Sequence, residues 1–271
     1  ASLSIPSILA QITSVLMFYI DAAMVGHLGA KASASIGLVE SSTWLFGSIT
    51  SAASIGFSVQ VAHAIGAKDF FRARQLFRHG LISTTVLSFI ITIVAIIISH
   101  PLPYWLGGSA EIAHDASMYF LIFSCALPFL QLSNICNAML KSSGDMSIPS
   151  IVSVMMCVLD VFFNYIFIYI AHLGVVGAAL GTLMAIAVST ILSAYNAIFR
   201  NKILALKLDR VKFHWVGEYM HNAFRISLPM AVQSILMSGA QIVSTIIVAP
   251  LGTFAIAANT FAITAESLCY M

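Results

Sequence analysis

Three polar side chains lie within long apolar segments of this 271-residue sequence, where ionisable groups are costly. Asp21 lies near the start of the chain, and Asp160 and Asn164 lie four residues apart in a later segment. In a helix this spacing places Asp160 and Asn164 on one face. A charged side chain at the centre of a membrane costs at least about 2.5 kcal/mol on insertion scales, so such residues are expected to have a function. Their oxygen atoms predict a site that binds Na⁺ or holds a proton.

Further residues could complete such a site. Ala178 and Thr182 are also four residues apart, in a stretch of glycine and alanine that predicts close approach to a neighbouring helix. Glu266 is a possible second titratable site, whereas Glu40 is interpreted as a charge at the outer vestibule. Two alternatives stay open. Asp160 and Asn164 could have a purely structural role as a bridge between helices, and Asp21 could be a hydrated carboxylate at the membrane edge.

The composition places these residues in a membrane protein. The chain is 60% hydrophobic and 8% charged, with a mean hydropathy of +0.98, whereas soluble proteins carry about 25% charged residues. Its apolar runs match the roughly 20 residues that cross a bilayer as a helix and exceed the 9–11 of a membrane strand. Eight segments are predicted, at about 3–25, 35–65, 81–99, 113–139, 148–170, 175–199, 223–248 and from about 255. The predicted fold class is an all-α, polytopic helical bundle with about seven full transmembrane helices and a truncated eighth.

Lysine and arginine residues indicate the orientation in the membrane. Of the 12 basic residues, only Lys31 falls on the side of the odd-numbered loops; the predicted loop between the second and third segments alone holds Lys68, Arg72, Arg74 and Arg78. By the positive-inside rule, the even-numbered loops and the N-terminus are predicted to be cytoplasmic. The positive charge therefore indicates topology in an inner or plasma membrane rather than a nucleic-acid partner.

The longest polar stretch divides the chain into two parts. It predicts a six-helix bundle at 1–199, a cytoplasmic connection at 200–222 and the start of a second bundle at 223–271. The first segment opens at Pro6 and closes at Gly29, and the seventh opens at Pro229 and closes at Gly252, 223 residues later in each case. This offset predicts a parallel internal repeat. Because the chain starts inside one span and ends inside another, it is expected to be a fragment.

The motifs together resemble those of the multidrug and toxic compound extrusion (MATE) transporters. The run at 21–29, DAAMVGHLG, is similar to the first-helix signature of that family, and the runs at 60–69, 160–167, 174–182 and 251–259 resemble its later motifs in family order. The resemblance implies twelve helices in two pseudo-symmetric bundles, a MATE-like fold. It also implies export of organic, often cationic, drugs by antiport with Na⁺ or H⁺.

The resemblance further implies a cation site in the first bundle, formed by Asp21, Asp160, Asn164 and Thr182, with Ala178 lining it. Two departures from the family matter. The pair in the fifth helix often begins with Asn, and here Asp160 comes first, which keeps the oxygen ligands but could alter the preference between Na⁺ and H⁺. Met237 stands where many members carry a membrane-embedded Glu, so a site in the second bundle would need another residue, such as Glu266.

Two other functions are considered. A flippase for lipids or lipid-linked oligosaccharides, of related architecture, would be expected to hold phosphate with basic residues inside its spans, and the sequence shows none. An intramembrane hydrolase would need a Ser/His or paired-Asp motif, and Asp160 lacks a G-x-G-D-like context. The four cysteines form no C-x-x-C pair or metal-binding spacing. The sequence thus predicts a transporter rather than an enzyme, with no cofactor beyond a coupling ion, and with small organic substrates and the bilayer as its partners.

Overall fold

The computed structural model of the chain describes residues 4–205 and 214–270. These residues form helices and no strands, which confirms the predicted fold class. The helices are α1 (Ser4–Gly26), α2 (Ala30–Gly66), α3 (Phe70–Ser99), the short α4 (Leu102–Trp105), α5 (Ala110–Ser142), α6 (Ser147–Asn164), α7 (Gly174–Tyr195), α8 (Gly217–Val248) and α9 (Thr253–Tyr270). Wider π-helical turns continue α6 over Tyr165–Ile170 and α7 over Asn196–Arg200, and a 3₁₀ turn, Ala249–Leu251, ends α8.

Membrane crossing follows from helix length and apolar composition. Within the described ranges, six helices are long and apolar enough to cross a membrane: α2, α3, α5, α6 with its π-helical turn, α7 with its π-helical turn, and α8 with its 3₁₀ turn. The 23-residue α1 and the start of α9 are also apolar. The chain is therefore a multi-pass membrane protein.

The junction of α2 and α3 differs from the sequence prediction. Arg72, Arg74 and Arg78 were expected in a loop, but α3 begins at Phe70 and carries all three in its first turns. The Asp69 carboxylate accepts a hydrogen bond from the Arg72 backbone N–H at 3.0 Å and so caps the helix. Long arginine side chains can extend from a helix towards water. A loop boundary drawn from charge alone was therefore wrong here.

Helix α2 lies at the centre of the bundle and contacts α3, α5, α8 and α9. Near its start, Leu38 belongs to a buried apolar cluster with Phe120 and with residues of α8 and α9. Nearer its end, Phe57 belongs to a second buried cluster, which contains Phe77 of α3 and Met139 of α5. These two clusters hold the helices together on either side of the middle of α2, where small and polar residues leave room for a cavity.

A buried histidine anchors the connection that precedes α8. His79 of α3 has no solvent exposure. Its Nδ1 lies 2.7 Å from the Gln75 carbonyl oxygen, and its Nε2 accepts a hydrogen bond from the Val216 N–H at 3.0 Å. The rings of Trp215 and Tyr219 lie 5.3 and 5.2 Å from the imidazole. Nothing in the sequence singled out His79, because Val216, Trp215 and Tyr219 lie more than 130 residues away in the chain and no local spacing joins them to it.

The two turns related by the internal repeat have the same backbone geometry. Gly29, before α2, has φ 102° and ψ 172°, and Gly252, before α9, has φ 102° and ψ 171°. Residues with a side chain rarely adopt this conformation. The Gly29 N–H donates to the Gly26 carbonyl, and the Gly252 N–H donates to the Ala249 carbonyl. The 223-residue offset therefore relates two turns of equal structure, not only two similar sequences.

Candidate functional site

Asn164 joins the two carboxylates that stand out in the sequence. Its Nδ2 donates to Asp21 Oδ1 and to Asp160 Oδ2, both at 3.0 Å. Asp160 is fully buried and Asn164 is 2% exposed, whereas Asp21 is half-buried. The structure therefore brings together three of the residues predicted for a cation site, one from α1 and two from α6. We call these three residues the polar cluster.

The local backbone of α6 positions the polar cluster. Asp160 and Asn164 lie one turn apart, so their side chains share a face of the helix. The π-helical turn Tyr165–Ile170 begins directly after Asn164. Wider turns of this kind are frequent at functional sites, because the extra residue changes the direction of the side chains that follow.

Small residues bring α7 against the polar cluster. A Cβ at Gly181 would overlap Asn164 Oδ1 and would lie 2.9 Å from the Asn164 backbone nitrogen. A Cβ at Gly177 would lie 2.8 Å from the Phe167 carbonyl oxygen. Because both positions are glycine, the two helices can approach closely. The glycine- and alanine-rich stretch seen in the sequence therefore serves the contact between α6 and α7.

This approach places Thr182 and Ala178 next to the polar cluster. The Thr182 hydroxyl donates to the Ala178 carbonyl at 3.2 Å and lies beside the Asp160 carboxylate. Ala178 is buried, and both residues line the same cavity as Asp21. All five residues predicted for the first-bundle site are thus brought together. The side chain of Glu266, the possible second titratable site, lies outside the described residues.

Two buried oxygen atoms of the polar cluster have no hydrogen-bond partner. They are Asp160 Oδ1 and Asn164 Oδ1. A buried acceptor without a donor is unfavourable, and two neighbouring carboxylates with one amide between them favour an additional positive charge. The atoms that could bind an ion here are all hard oxygens, so the residues present fit a proton or a small hard cation. Clusters of three or more His, Cys, Asp or Glu side chains that could hold a metal ion are absent from the part of the chain that the structure describes.

A cavity of about 520 Å³ adjoins the polar cluster, with walls from α1, α2, α5, α6, α7 and α9. Asp21 and Asn164 lie on its wall, and the buried Asp160 lies behind them. Glu40 of α2 also lines this cavity, together with Trp44 one turn further along the helix. Glu40, which was interpreted as a charge at the outer vestibule, thus contributes to the wall of this cavity.

The cavity wall carries two acidic side chains and is otherwise largely apolar. Asp21 and Glu40 are its carboxylates, and no lysine, arginine or histidine is found among its described lining residues. The remaining wall is rich in aromatic and methionine side chains, namely Phe18, Trp44, Tyr119, Phe123, Phe261, Met17, Met24 and Met156. A concave apolar site with a few fixed polar groups is typical of small-molecule binding, and the sign of its charge favours cations.

Comparisons with known proteins indicate the family of the chain. The MatE family model matches residues 6–166. The probable multidrug resistance protein NorM of Thermotoga maritima is 25% identical over 273 residues, which cover 99% of this chain and 58% of that protein. The FAD transporter of Shewanella oneidensis is 25% identical over 224 residues, which cover 79% of this chain and 49% of that protein. A crystal structure of MATE in the bent conformation matches with a TM-score of 0.80 and 26% identity, over 89% of this chain and 53% of that one.

The chain thus spans about half the length of the proteins that it matches. The family match covers more than half of the chain and includes the whole polar cluster, at positions 21, 160 and 164. Together with the all-helical membrane fold, this match shows that the chain belongs to the MatE family of membrane transporters.

Proposed function

We propose that this protein is a cation-coupled antiporter that exports organic cations across the membrane. The observation that carries the proposal is the position of Asp21 in two environments. Its carboxylate accepts a hydrogen bond from Asn164 in the polar cluster, and it also lines the cavity. An ion bound at the cluster and a substrate bound in the cavity would therefore influence each other through a single side chain.

The coupling ion, Na⁺ or H⁺, would bind between Asp21, Asp160, Asn164 and Thr182, with Ala178 beside it. Asp160 Oδ1 and Asn164 Oδ1 are the acceptors available to it. A bound positive charge would relieve the repulsion between the two carboxylates. Since the cluster links α1 to α6, ion binding would bend or repack α1. This shifts the balance of inward-open and outward-open states only to the extent that the ion binds one state better.

The wall of the cavity supports organic cations as the substrate class. Aromatic and methionine side chains adapt to apolar molecules of different shapes, and the two carboxylates favour a positive charge. A flippase for phosphate-bearing lipids, or a carrier of a phosphate-bearing molecule such as FAD, would gain from basic side chains in the cavity. The described lining residues include none. The lack of basic side chains among these residues favours organic cations over phosphate-bearing lipids and over FAD as the substrate.

The distribution of basic residues supports a cytoplasmic N-terminus in an inner or plasma membrane. On this arrangement residues 1–199 form the first bundle, residues 200–222 form a cytoplasmic connection, and residues 223–271 begin a second bundle. No resident cofactor is required, because the coupling ion and the substrate are both transported species.

Transport by the full-length protein in liposomes tests the proposal. Ethidium efflux is measured under a Na⁺ gradient and, separately, under a pH gradient, which also identifies the coupling ion. We expect Asp21→Asn to lower the ion-driven rate at least about tenfold, because the substitution removes a charge that contacts both the ion and the cavity. Glu111→Gln is the matched control, since this carboxylate is exposed at the start of α5. Efflux by Asp21→Asn that is undiminished and still ion-dependent would contradict the proposal.

A further inference from the structure

Glu40 is a carboxylate of the cavity that lies outside the polar cluster. The cluster is built from α1 and α6, whereas Glu40 lies on α2. Trp44 follows four residues later, so the two side chains share a face of α2. Both residues line the cavity, so the carboxylate and the indole ring belong to the same part of its wall.

A second aromatic ring extends this surface. Phe18 of α1 lies with its ring centroid 5.1 Å from that of Trp44, at an interplanar angle of 36°. Both rings line the cavity, and Trp44 keeps 38% of its surface exposed. Tyr119 of α5 lines the same cavity. Aromatic side chains from three helices therefore share the cavity wall with the Glu40 carboxylate.

We propose that Glu40, Trp44 and Phe18 form the subsite that holds the charged centre of the substrate, and that this centre is a quaternary or charge-delocalised organic cation. The proposal rests on the proposed function and assigns the two transported species to different carboxylates. Asp21 takes part in binding the coupling ion, and Glu40 neutralises the substrate.

The chemistry of the surroundings separates these two roles. Na⁺ requires several oxygen ligands at short distance, and the polar cluster together with the neighbouring Thr182 offers oxygens from four side chains. Glu40 instead shares its helical face with the Trp44 indole, against which the Phe18 ring packs. An organic cation without N–H donors gains little from a ring of oxygens, but it is attracted by the faces of aromatic rings and by one nearby negative charge. The Glu40 subsite therefore suits the bulky cation better than the small one.

Binding of two probes of equal shape and opposite charge tests the subsite. Tetraphenylphosphonium and tetraphenylborate are titrated into the purified full-length protein. We expect the wild type to prefer tetraphenylphosphonium. Glu40→Gln should weaken tetraphenylphosphonium binding about tenfold or more and should not weaken tetraphenylborate binding, because only the attraction to a positive charge is lost. Trp44→Leu should weaken tetraphenylphosphonium binding, but this variant should still bind tetraphenylphosphonium more tightly than tetraphenylborate. Glu111→Gln, which removes an exposed carboxylate, should leave both affinities unchanged.

The possible results are distinguishable. A wild type that does not prefer tetraphenylphosphonium would overturn both the subsite and the proposed function. A wild type that prefers it, with equal affinity in Glu40→Gln, would overturn the subsite alone. Loss of ion-driven efflux in Glu40→Gln with full tetraphenylphosphonium affinity would instead make Glu40 a coupling residue. If Glu40→Gln cannot be purified in folded form, Glu40→Asp is measured. Glu40→Asp should still prefer tetraphenylphosphonium to tetraphenylborate but should bind tetraphenylphosphonium less tightly than the wild type. An unchanged tetraphenylphosphonium affinity would overturn the subsite.

Discussion

Gly37 of α2 packs directly against Thr260 of α9, and the two residues are 223 positions apart in the sequence. A Cβ at Gly37 would overlap Thr260 Oγ1 and would lie 2.9 Å from the Thr260 Cβ. The same offset relates Gly29 to Gly252, whose backbones have the same conformation. Two repeat-related positions that touch each other lie at a two-fold axis. The contact therefore places a pseudo-two-fold axis between α2 and α9.

A second pair of positions is consistent with such an axis. Gly26 of α1 faces Phe261 of α9, whose Cζ would lie 3.5 Å from a Cβ at Gly26. The positions related to these two by the offset are Ala249 and Leu38, and both belong to one buried cluster. The offset thus relates α1 to the end of α8 and α2 to α9, and these elements pack against one another. This arrangement fits a parallel repeat about an axis along the membrane normal.

A larger side chain at Gly37 is expected to separate α2 from α9. Gly37→Thr should lower stability by about 1–3 kcal/mol, because overpacking a closed helix contact forces backbone shifts. Thermal unfolding of the protein in detergent measures the change. Gly239→Thr is the matched control, since a Cβ there meets no atom within 4 Å. The exchange Gly37→Thr with Thr260→Gly should recover at least half of the loss, because the axis makes the two positions interchangeable. An equal Tm for Gly37→Thr and Gly239→Thr would contradict the contact.

The sequence predicted the parts of this structure that depend on local spacing. Asp160 and Asn164 were expected on one helical face because they are four residues apart, and the glycines of α7 were expected at a close contact because small residues permit one. From the residues alone, nothing joined Asp21 to Asn164, which is 143 residues away. That contact depends on how α1 packs against α6. The resemblance to a family implied it, and no local pattern could.

The depth of Glu40 within the cavity could not be predicted from the sequence for a different physical reason. The second segment was predicted to start near residue 35, but α2 starts at Ala30. With a rise of 1.5 Å per residue, Glu40 therefore lies about 15 Å along the helix from its first residue. Its depth depended on a helix boundary, and Ser, Gly and Ala at this boundary gave a weak hydropathy signal. A carboxylate that seemed to lie near the surface thus belongs to the cavity wall.

A methyl group at Gly181 should disturb the polar cluster without changing any of its residues. The added Cβ would overlap Asn164 Oδ1, so Asn164 would have to move away from Asp21 and Asp160. We expect Gly181→Ala to lower ion-driven efflux at least about tenfold, since displacing a positioned group by about 1 Å can cost two orders of magnitude. Gly239→Ala is the control, because a Cβ there meets no atom within 4 Å. Equal efflux rates in the two variants would argue against a role for the position of Asn164.

Loss of the His79 imidazole should loosen the connection before α8. His79→Phe keeps a ring against Trp215 and Tyr219 but removes the acceptor for the Val216 N–H. An unpaired, partly buried donor costs about 1–3 kcal/mol. We expect a lower Tm and faster trypsin cleavage within residues 200–216. The control is His114→Phe, at an exposed position of α5. A trypsin cleavage rate in His79→Phe that equals that of the control would show that this hydrogen bond does not hold the connection.

The two ends of α5 can establish the orientation of the chain. Glu111 and Lys141 lie near its first and last residues, both exposed. At 1.5 Å per residue they are about 45 Å apart along the helix, which matches the roughly 40–45 Å of a whole bilayer. Glu111 pairs with Lys31 at 2.9 Å, but an exposed ion pair contributes only about 0–1 kcal/mol, so its replacement should be tolerated.

Cysteine labelling in intact cells measures this orientation. The native cysteines are first replaced, and Glu111→Cys or Lys141→Cys is then introduced singly into the full-length protein. A membrane-impermeant maleimide should label Glu111→Cys directly and Lys141→Cys only after permeabilisation, because basic residues are retained on the cytoplasmic side. The reverse pattern would place the N-terminus outside. It would also put Lys68, Arg72, Arg74 and Arg78 on the outer side, against the charge distribution on which the proposed direction of export depends.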